Sequence, residues 1–314
     1  MGKRYNTVVV IGNGFDLDFG FKTKYSDFAH SKIWEEMYKE RSAQLHNNSL
    51  IHYLDKKKDS NNWFDIEASL LEYVSMRPDG TFVNNVDEDK KDYELICKNL
   101  IKYLDDELEN YKGNNFYRCA AGQLLQRTSE TSFLNTSKLY SFNYTPVGFY
   151  ASVLDWPNGK LNIDFIHGSV QNSNIILGFE TENISSIAHG YSFMIKSNCP
   201  QYKSTNILID LINSRNAIFF GHSLNKIDSG YFKDFFVQRS NNSNKDCMIS
   251  FVTHDDASRI EILDNLRSMG ISIQKLNSNS KLEFILTSNI KNENSKDKQC
   301  FEKMLNRSLP YVSL

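Results

Sequence analysis

The sequence predicts an α/β protein built on a parallel sheet and interrupted by an inserted helical subdomain, and three observations carry that expectation. Val8-Val9-Val10-Ile11 is an unbroken run of β-branched residues, the pattern of a strand covered on both faces. It ends at once in Gly12-Asn13-Gly14, a turn that can open a helix. Apolar runs of strand length return after Lys138, while the stretch from about Tyr25 to Arg127 holds a single proline, Pro78, and repeats its apolar residues at helical spacing. The expected division is an α/β core of residues 1–24 and 129–290, a helical insertion at 25–128, and a C-terminal tail or helix at 291–314.

At the first strand end, Gly12 and Gly14 permit backbone angles closed to other residues and a close approach of a ligand to the main chain. The match to a dinucleotide fingerprint is partial, since Leu17 stands at the third glycine position and Asp16 and Asp18 fall in the first helical turn. A carboxylate about 6 Å from a phosphate, at an effective dielectric near ~20, repels it by roughly 2–3 kcal/mol. Asp16 is therefore expected to address a sugar hydroxyl or a cationic group, or simply to favour the helix dipole. In the insertion, Trp34, Met37 and Tyr38, then Ile66, Leu70 and Tyr73, then Leu95, Leu100, Ile101, Leu104 and Leu108 mark helices, with breaks expected at 56–62, 77–80 and 112–115. Trp63-Phe64-Asp65-Ile66-Glu67 reads either as a helix start with acids favouring the dipole or as a segment in which Asp65 or Glu67 lines a cleft.

Further along, residues 139–142 form a short strand ending in Asn143-Tyr144-Thr145-Pro146, and 163–166 another ending in His167-Gly168-Ser169. Residues 175–177 lead as a strand to Gly178, and 217–220 lead to Gly221-His222-Ser223-Leu224, with Asp228 following. A strand at 248–253, a helix at 257–269, a strand at 271–276 and an edge strand at 282–286 complete the rhythm. Strand ends of this kind are where open α/β sheets hold ligands.

Composition narrows the class. The chain has 314 residues, 40% of them hydrophobic and 24% charged, with a formal net charge of −2. That balance gives no electrostatic case for nucleic acid or an anionic membrane surface. No apolar run reaches the roughly 18 residues of a membrane span. Cys97, Cys119, Cys199, Cys247 and Cys300 are odd in number and never paired as C-x-x-C, which argues for a reducing compartment and against a four-thiolate zinc site, so the expected location is cytoplasmic and no metal is expected.

Taken in order, Gly12-Asn13-Gly14-Phe15-Asp16-Leu17, Trp63-x-Asp65-Ile66-Glu67, Ser141-Phe142-Asn143-Tyr144-Thr145, Ile166-His167-Gly168 and Gly221-His222-Ser223-Leu224 resemble the successive signatures of the AbiH family of bacteriophage abortive-infection proteins. More distantly, the same order resembles the sirtuin fold, a Rossmann-like parallel sheet around NAD. That likeness puts Asn143 on the sirtuin asparagine and His167 on its catalytic histidine, and Gly221 and Ser223 on a turn that contacts the dinucleotide. There are departures: no cysteine pairs for the sirtuin zinc module, Asp16 where the motif has serine, and Tyr144-Thr145 in place of Ile-Asp. Protein deacylation is thereby disfavoured.

The resemblance implies hydrolysis of NAD to nicotinamide and ADP-ribose, with Asn143 and His167 as catalytic residues. Gly12, Asn13, Gly14, Phe15, Asp16, Gly168, Gly221, His222 and Ser223 would line the nucleotide. NAD is then a substrate or ligand rather than a resident cofactor. A phage-derived trigger and a homo-oligomer are the partners to expect, with no membrane. The alternative is a sensor that binds NAD or ADP-ribose without turnover. Which of Asp16, Asp65, Glu67 and Asp228 enters the cleft is left open by the sequence.

Overall fold

β1 (Thr7–Ile11) is buried along its whole length, because it has a strand on either side and helices over both faces. The computed structural model describes residues 4–43, 49–59, 65–76, 86–111, 118–146, 161–180, 189–242 and 247–310. The chain divides into two compact units, the first comprising Met1–Phe21, Lys112–Ile166 and Ser204–Leu314, the second Lys22–Tyr111 and His167–Lys203.

In the first unit, β1 is joined by β2 (Ser137–Ser141), β3 (Ile163–Phe165), β4 (Asn216–Phe220), β5 (Met248–Thr253) and β6 (Lys281–Leu286). All pairs are parallel and the order is β3-β2-β1-β4-β5-β6. The chain thus builds outward from β1 on one side, returns to β4 on the other, and reverses direction between β1 and β4. This is the doubly wound, Rossmann-like arrangement expected from the strand runs. The register aligns Ile11 with Ser141 and with Phe220, so these strands end level. Each ladder runs one residue further: Gly12 N–H donates to Phe220 O, Phe142 N–H to Ile11 O, and Gly221 N–H to Val252 O.

Alternation along the strands sorts the apolar residues between two layers. Val8, Val10, Tyr140, Ala217, Phe219, Ile249 and Phe251 form one core with Ile207 and Leu211 of α8 (Ile207–Asn213), Phe235 and Phe236 of α9 (Lys233–Asn241) and Ile262 and Leu266 of α10 (Asp256–Ser268). On the opposite face Phe220 meets Phe15 of α1 (Asn13–Phe19) edge-on, with centroids 5.4 Å apart. Each fully buried Phe of this kind contributes roughly 1.5–3 kcal/mol.

Two expected strands are corrected. Residues 271–276 contain no strand: α11 (Ile273–Asn279) begins here, capped by Ser272 Oγ, which accepts from Lys275 N–H. The apolar alternation Ile271, Ile273 mimics a strand, but the serine cap and the burial of Ile271 and Leu276 select the helix. Residues 175–177 also lie outside any strand; only Phe179, pairing with Ile195, forms an isolated bridge. The edge strand expected at 282–286 is β6, and residues 296–308 form a terminal helix, Lys296–Ser308. The break expected at 56–62 is also corrected at its start, where Lys56, Lys57 and Lys58 form the last turn of a helix with Asp59 as its C-cap, their positive charges suiting a helix C-terminus. Residues 60–62, Trp63-Phe64 and the breaks expected at 77–80 and 112–115 lie outside the described residues. No helix is long and apolar enough to cross a membrane among the described residues.

The second unit holds α2 (Tyr25–Ala29), α3 (Lys32–Ser42), α4 (Leu50–Lys58), α5 (Ile66–Ser75) and α6 (Val86–Glu109), together with residues His167–Lys203. α6 buries Asp89, Asp92, Ile96, Leu100, Tyr103, Leu104 and Leu108, a stripe at helical spacing. Its buried acids have uses: Asp89 accepts from Leu50 N–H, Tyr73 Oη and Tyr191 Oη, and Asp92 pairs with Arg41 at 2.7 Å. They cap the start of α4 from outside and tie three segments to α6.

Candidate functional site

In the first unit, the turns after β1, β2 and β4 meet at the carboxyl edge of the sheet. The turn after β1 packs directly on the turn after β4. A Cβ added at Gly14 would lie 2.6 Å from Gly221 Cα, and one at Gly221, where φ is +62°, would lie 2.4 Å from Gly14 C and Phe15 N. Both positions therefore require glycine for the contact between backbones. The amides follow the same logic: Gly12 N–H is committed to Phe220 O at 3.0 Å and Gly14 N–H to Gly221 O at 2.9 Å. Both donors are thus bonded within the two turns. Asn13 is half-buried at the helix start, and Phe15 is buried against Phe19 and Phe220.

The acids of the first turn are separated by function. Asp16 is 2% exposed and accepts a hydrogen bond from Thr145 Oγ1 on the turn after β2. Its carboxylate is thus engaged by a hydroxyl of the protein itself. Asp18 accepts from Ala121 N–H at 2.8 Å, at the start of α7 (Ala120–Phe133). Burial raises its carboxyl above the usual range, against the pull of the Ala121 and Ala120 amides.

Asn143 is buried and donates through Nδ2 to Gly12 O at 3.0 Å, while Ser141 Oγ accepts from its backbone N–H at 3.2 Å. One amide group therefore ties the turn after β2 to the glycine turn. Its Oδ1 has no partner among the described residues and is the acceptor that this residue can still offer. His222, also buried, has its ring edge-on to Phe142 and Phe232, with centroids at 4.6 and 5.0 Å. Nδ1 accepts from Leu224 N–H at 3.0 Å, so a neutral ring carries its proton on Nε2, which faces Asp228 Oδ2 at 3.9 Å. Asn265 Nδ2 donates to Ser223 O at 2.9 Å and fixes the outer half of this turn.

In the second unit, His167 is buried, and Lys196 Nζ, a residue absent from the expected set, lies 3.2 Å from His167 Nε2. Lys196 Nζ also donates to Glu67 Oε2 at 3.1 Å, and Gly178 N–H donates to Glu67 Oε1 at 3.3 Å. Glu67 is thus the buried partner of the two motif acids. Asp65 is the N-cap of α5, accepting from Glu67 N–H and Ala68 N–H. Gly168 has φ +76°, and a Cβ there would fall 2.0 Å from Asn174 O; the hairpin it makes is closed by Ile176 N–H to His167 O at 2.8 Å. The signal that could have revealed Lys196 is its setting, Phe193-Met194-Ile195-Lys196, a lysine directly behind an apolar run.

A cleft of about 460 Å³ opens at the opposite, amino edge of the strands, lined by Asn6, Arg215, Asn216, Met248, Lys281 and Arg307. Size does not make it the preferred site, because ligands of open α/β sheets sit at the carboxyl edge where the strand order reverses. Among the described residues no group of three or more His, Cys, Asp or Glu side chains is placed to hold a metal ion.

Neither a curated protein nor a solved structure matches the chain, so the sirtuin likeness rests on motif order alone. One family model, described as bacteriophage abortive infection AbiH, matches residues 8–251. That span opens on β1 and closes in β5, taking in the glycine turn, the Asp65–Glu67 segment, the Asn143 turn, His167-Gly168 and the Gly221 turn. A match of that extent settles the kinship to which the five ordered motifs pointed, and the chain belongs to the AbiH family of bacteriophage abortive-infection proteins.

Proposed function

We propose that this abortive-infection protein binds NAD or a related nucleotide at the carboxyl edge of β1 and β4 and hydrolyses NAD to nicotinamide and ADP-ribose. The observation that supports the reading is the reversal of strand order between β1 and β4, with two glycine turns packed on each other at that point. Nicotinamide in NAD is already a cationic leaving group, so its glycosidic bond can open toward an oxocarbenium ion without a strong general acid. The protein then has to hold the ribose and aim a water. Asn143 suits the first task through Oδ1, an acceptor for a ribose hydroxyl whose orientation is fixed by the Nδ2 bond to Gly12 O. Gly12, Asn13, Gly14, Phe15, Asp16, Gly168, Gly221, His222 and Ser223 are the residues proposed to line the nucleotide. A phage-derived component and self-assembly are the proposed activators.

The test is incubation of the purified protein with NAD or its fluorescent etheno analogue. The expected result is nicotinamide release, abolished in Asn143→Ala and reduced roughly 10²–10⁴-fold in His167→Ala, the scale of a group acting in the transition state. A rate unchanged in His167→Ala removes that residue from the reaction. The second reading, a nucleotide sensor without turnover, is favoured by the internal commitment of the Gly12 and Gly14 amides and of the Asp16 carboxylate. Saturable binding without product, even with phage lysate added, selects it.

A further inference from the structure

We propose that Lys196 is a positioning residue that holds His167 neutral with its proton on Nδ1, making His167 a hydrogen-bond donor rather than a proton acceptor. The reasoning starts from the lysine. Its side chain has no exposure at all, and an ammonium out of water persists only where charge and hydrogen bonds compensate it. Both carboxylate oxygens of Glu67 lie 3.1 Å from Nζ, and Glu67 is itself anchored by Gly178 N–H. Nζ also meets His167 Nε2 at 3.2 Å.

Two nitrogens this close share one proton, and ordinary basicity assigns it: a lysine amine is more basic than an imidazole by about four units. The Glu67 carboxylate sits against Nζ and reinforces that assignment. Lys196 is therefore the ammonium, and an ammonium has no lone pair, so Nε2 must accept. A proton on Nε2 would meet a second cation 3.2 Å away. The neutral ring then carries its only hydrogen on Nδ1.

Two titratable groups of this neighbourhood are uncharged at neutral pH. Burial first, and then the nearby Cys97, Cys199 and Glu67, hold the Tyr93 phenol protonated far above neutrality. Burial pushes the Cys97 thiol up to about 12. Neither group therefore adds a charge beside Glu67 and Lys196 at neutral pH. His167 is consequently a donor at Nδ1 and does not take a proton at Nε2.

The activity consequence rests on the proposed NAD hydrolysis, whereas the tautomer does not, so the decisive measurement is made on the chain itself. Ring-nitrogen NMR of the full-length ¹⁵N-labelled protein at neutral pH should show His167 neutral, Nδ1 protonated and Nε2 bare. Lys196→Met should lose that pattern, with Nε2 gaining a proton, and Lys196→Arg should restore it. Should Lys196→Met fail to fold because Glu67 is stranded, the double variant Glu67→Gln, Lys196→Met removes both charges and must show the same change. A His167 ring that is charged or Nε2-protonated in the parent, or a pattern indifferent to removal of Lys196, overturns the proposal. In the hydrolysis assay His167→Asn, which keeps a donor near Nδ1 and has no basic nitrogen, should retain activity that His167→Ala loses; equal loss in both overturns the donor role. If the parent releases no nicotinamide, the hydrolysis reading fails while the NMR result still decides the role of Lys196.

Discussion

Gly221 shows what a single residue must satisfy at the strand-order reversal. Its φ of +62° is open to glycine, and its backbone lies so close to that of Gly14 that no side chain fits on either. Gly221→Ala is expected to cost about 2–4 kcal/mol, combining a disfavoured backbone angle with a steric clash. Urea unfolding would measure it, and a shift in stability below about 1 kcal/mol would contradict the packing described. Asn143 illustrates the same point for a polar residue. One half of its amide is structural and the other half is the half on which function is proposed, so Asn143→Ala must be checked for folding before any loss of product is attributed to chemistry.

At the scale of elements, the junction of α1 with α7 gives a pH signature with a definite sign. Asp18 sits in α1 and accepts from Ala121 N–H in the first turn of α7. Burial raises its carboxyl pKa in the folded state above the ordinary aspartate range. A raised carboxyl favours the folded protein below its unfolded value, and that contribution is lost as pH climbs through the raised one. Asp18→Asn keeps an acceptor for Ala121 N–H without the charge. It should match the parent in acid and exceed it in stability at neutral pH, as read by urea unfolding across that interval. A variant less stable than the parent at neutral pH would show that the ionised carboxylate is worth more to α7 than its burial costs. In α5 the division of labour is different: Asp65 caps the helix, whereas Glu67, two residues on, turns inward to Lys196.

Over the whole molecule, all five cysteines are free thiols, and stability owes nothing to disulfides. Cys247 is buried, and burial holds both Cys97 and Cys119 at about 12, where the reactive thiolate is scarce. In the native protein a thiol reagent should therefore label Cys199 and Cys300 first, with Cys97, Cys119 and Cys247 reacting only after unfolding. Peptide mapping of the labelled chain would check this order, and early labelling of Cys247 would mean that β5 opens locally.

The sequence by itself determined the class of fold, the β-branched run of β1, the glycine turns and the family, because apolar periodicity and turn residues act locally and survive in one dimension. It misread residues 271–276, where a serine cap outweighed an alternating pattern, and it left Lys196 unmarked despite the apolar run before it. Tertiary structure alone decided that the Gly12 and Gly14 amides face inward, that Asp16 meets Thr145 from 129 residues away, and that His167 is paired with Lys196 rather than standing alone. Hydrogen-bond partners and burial depend on which distant segments arrive at the same place, and no local pattern of residues encodes that arrival.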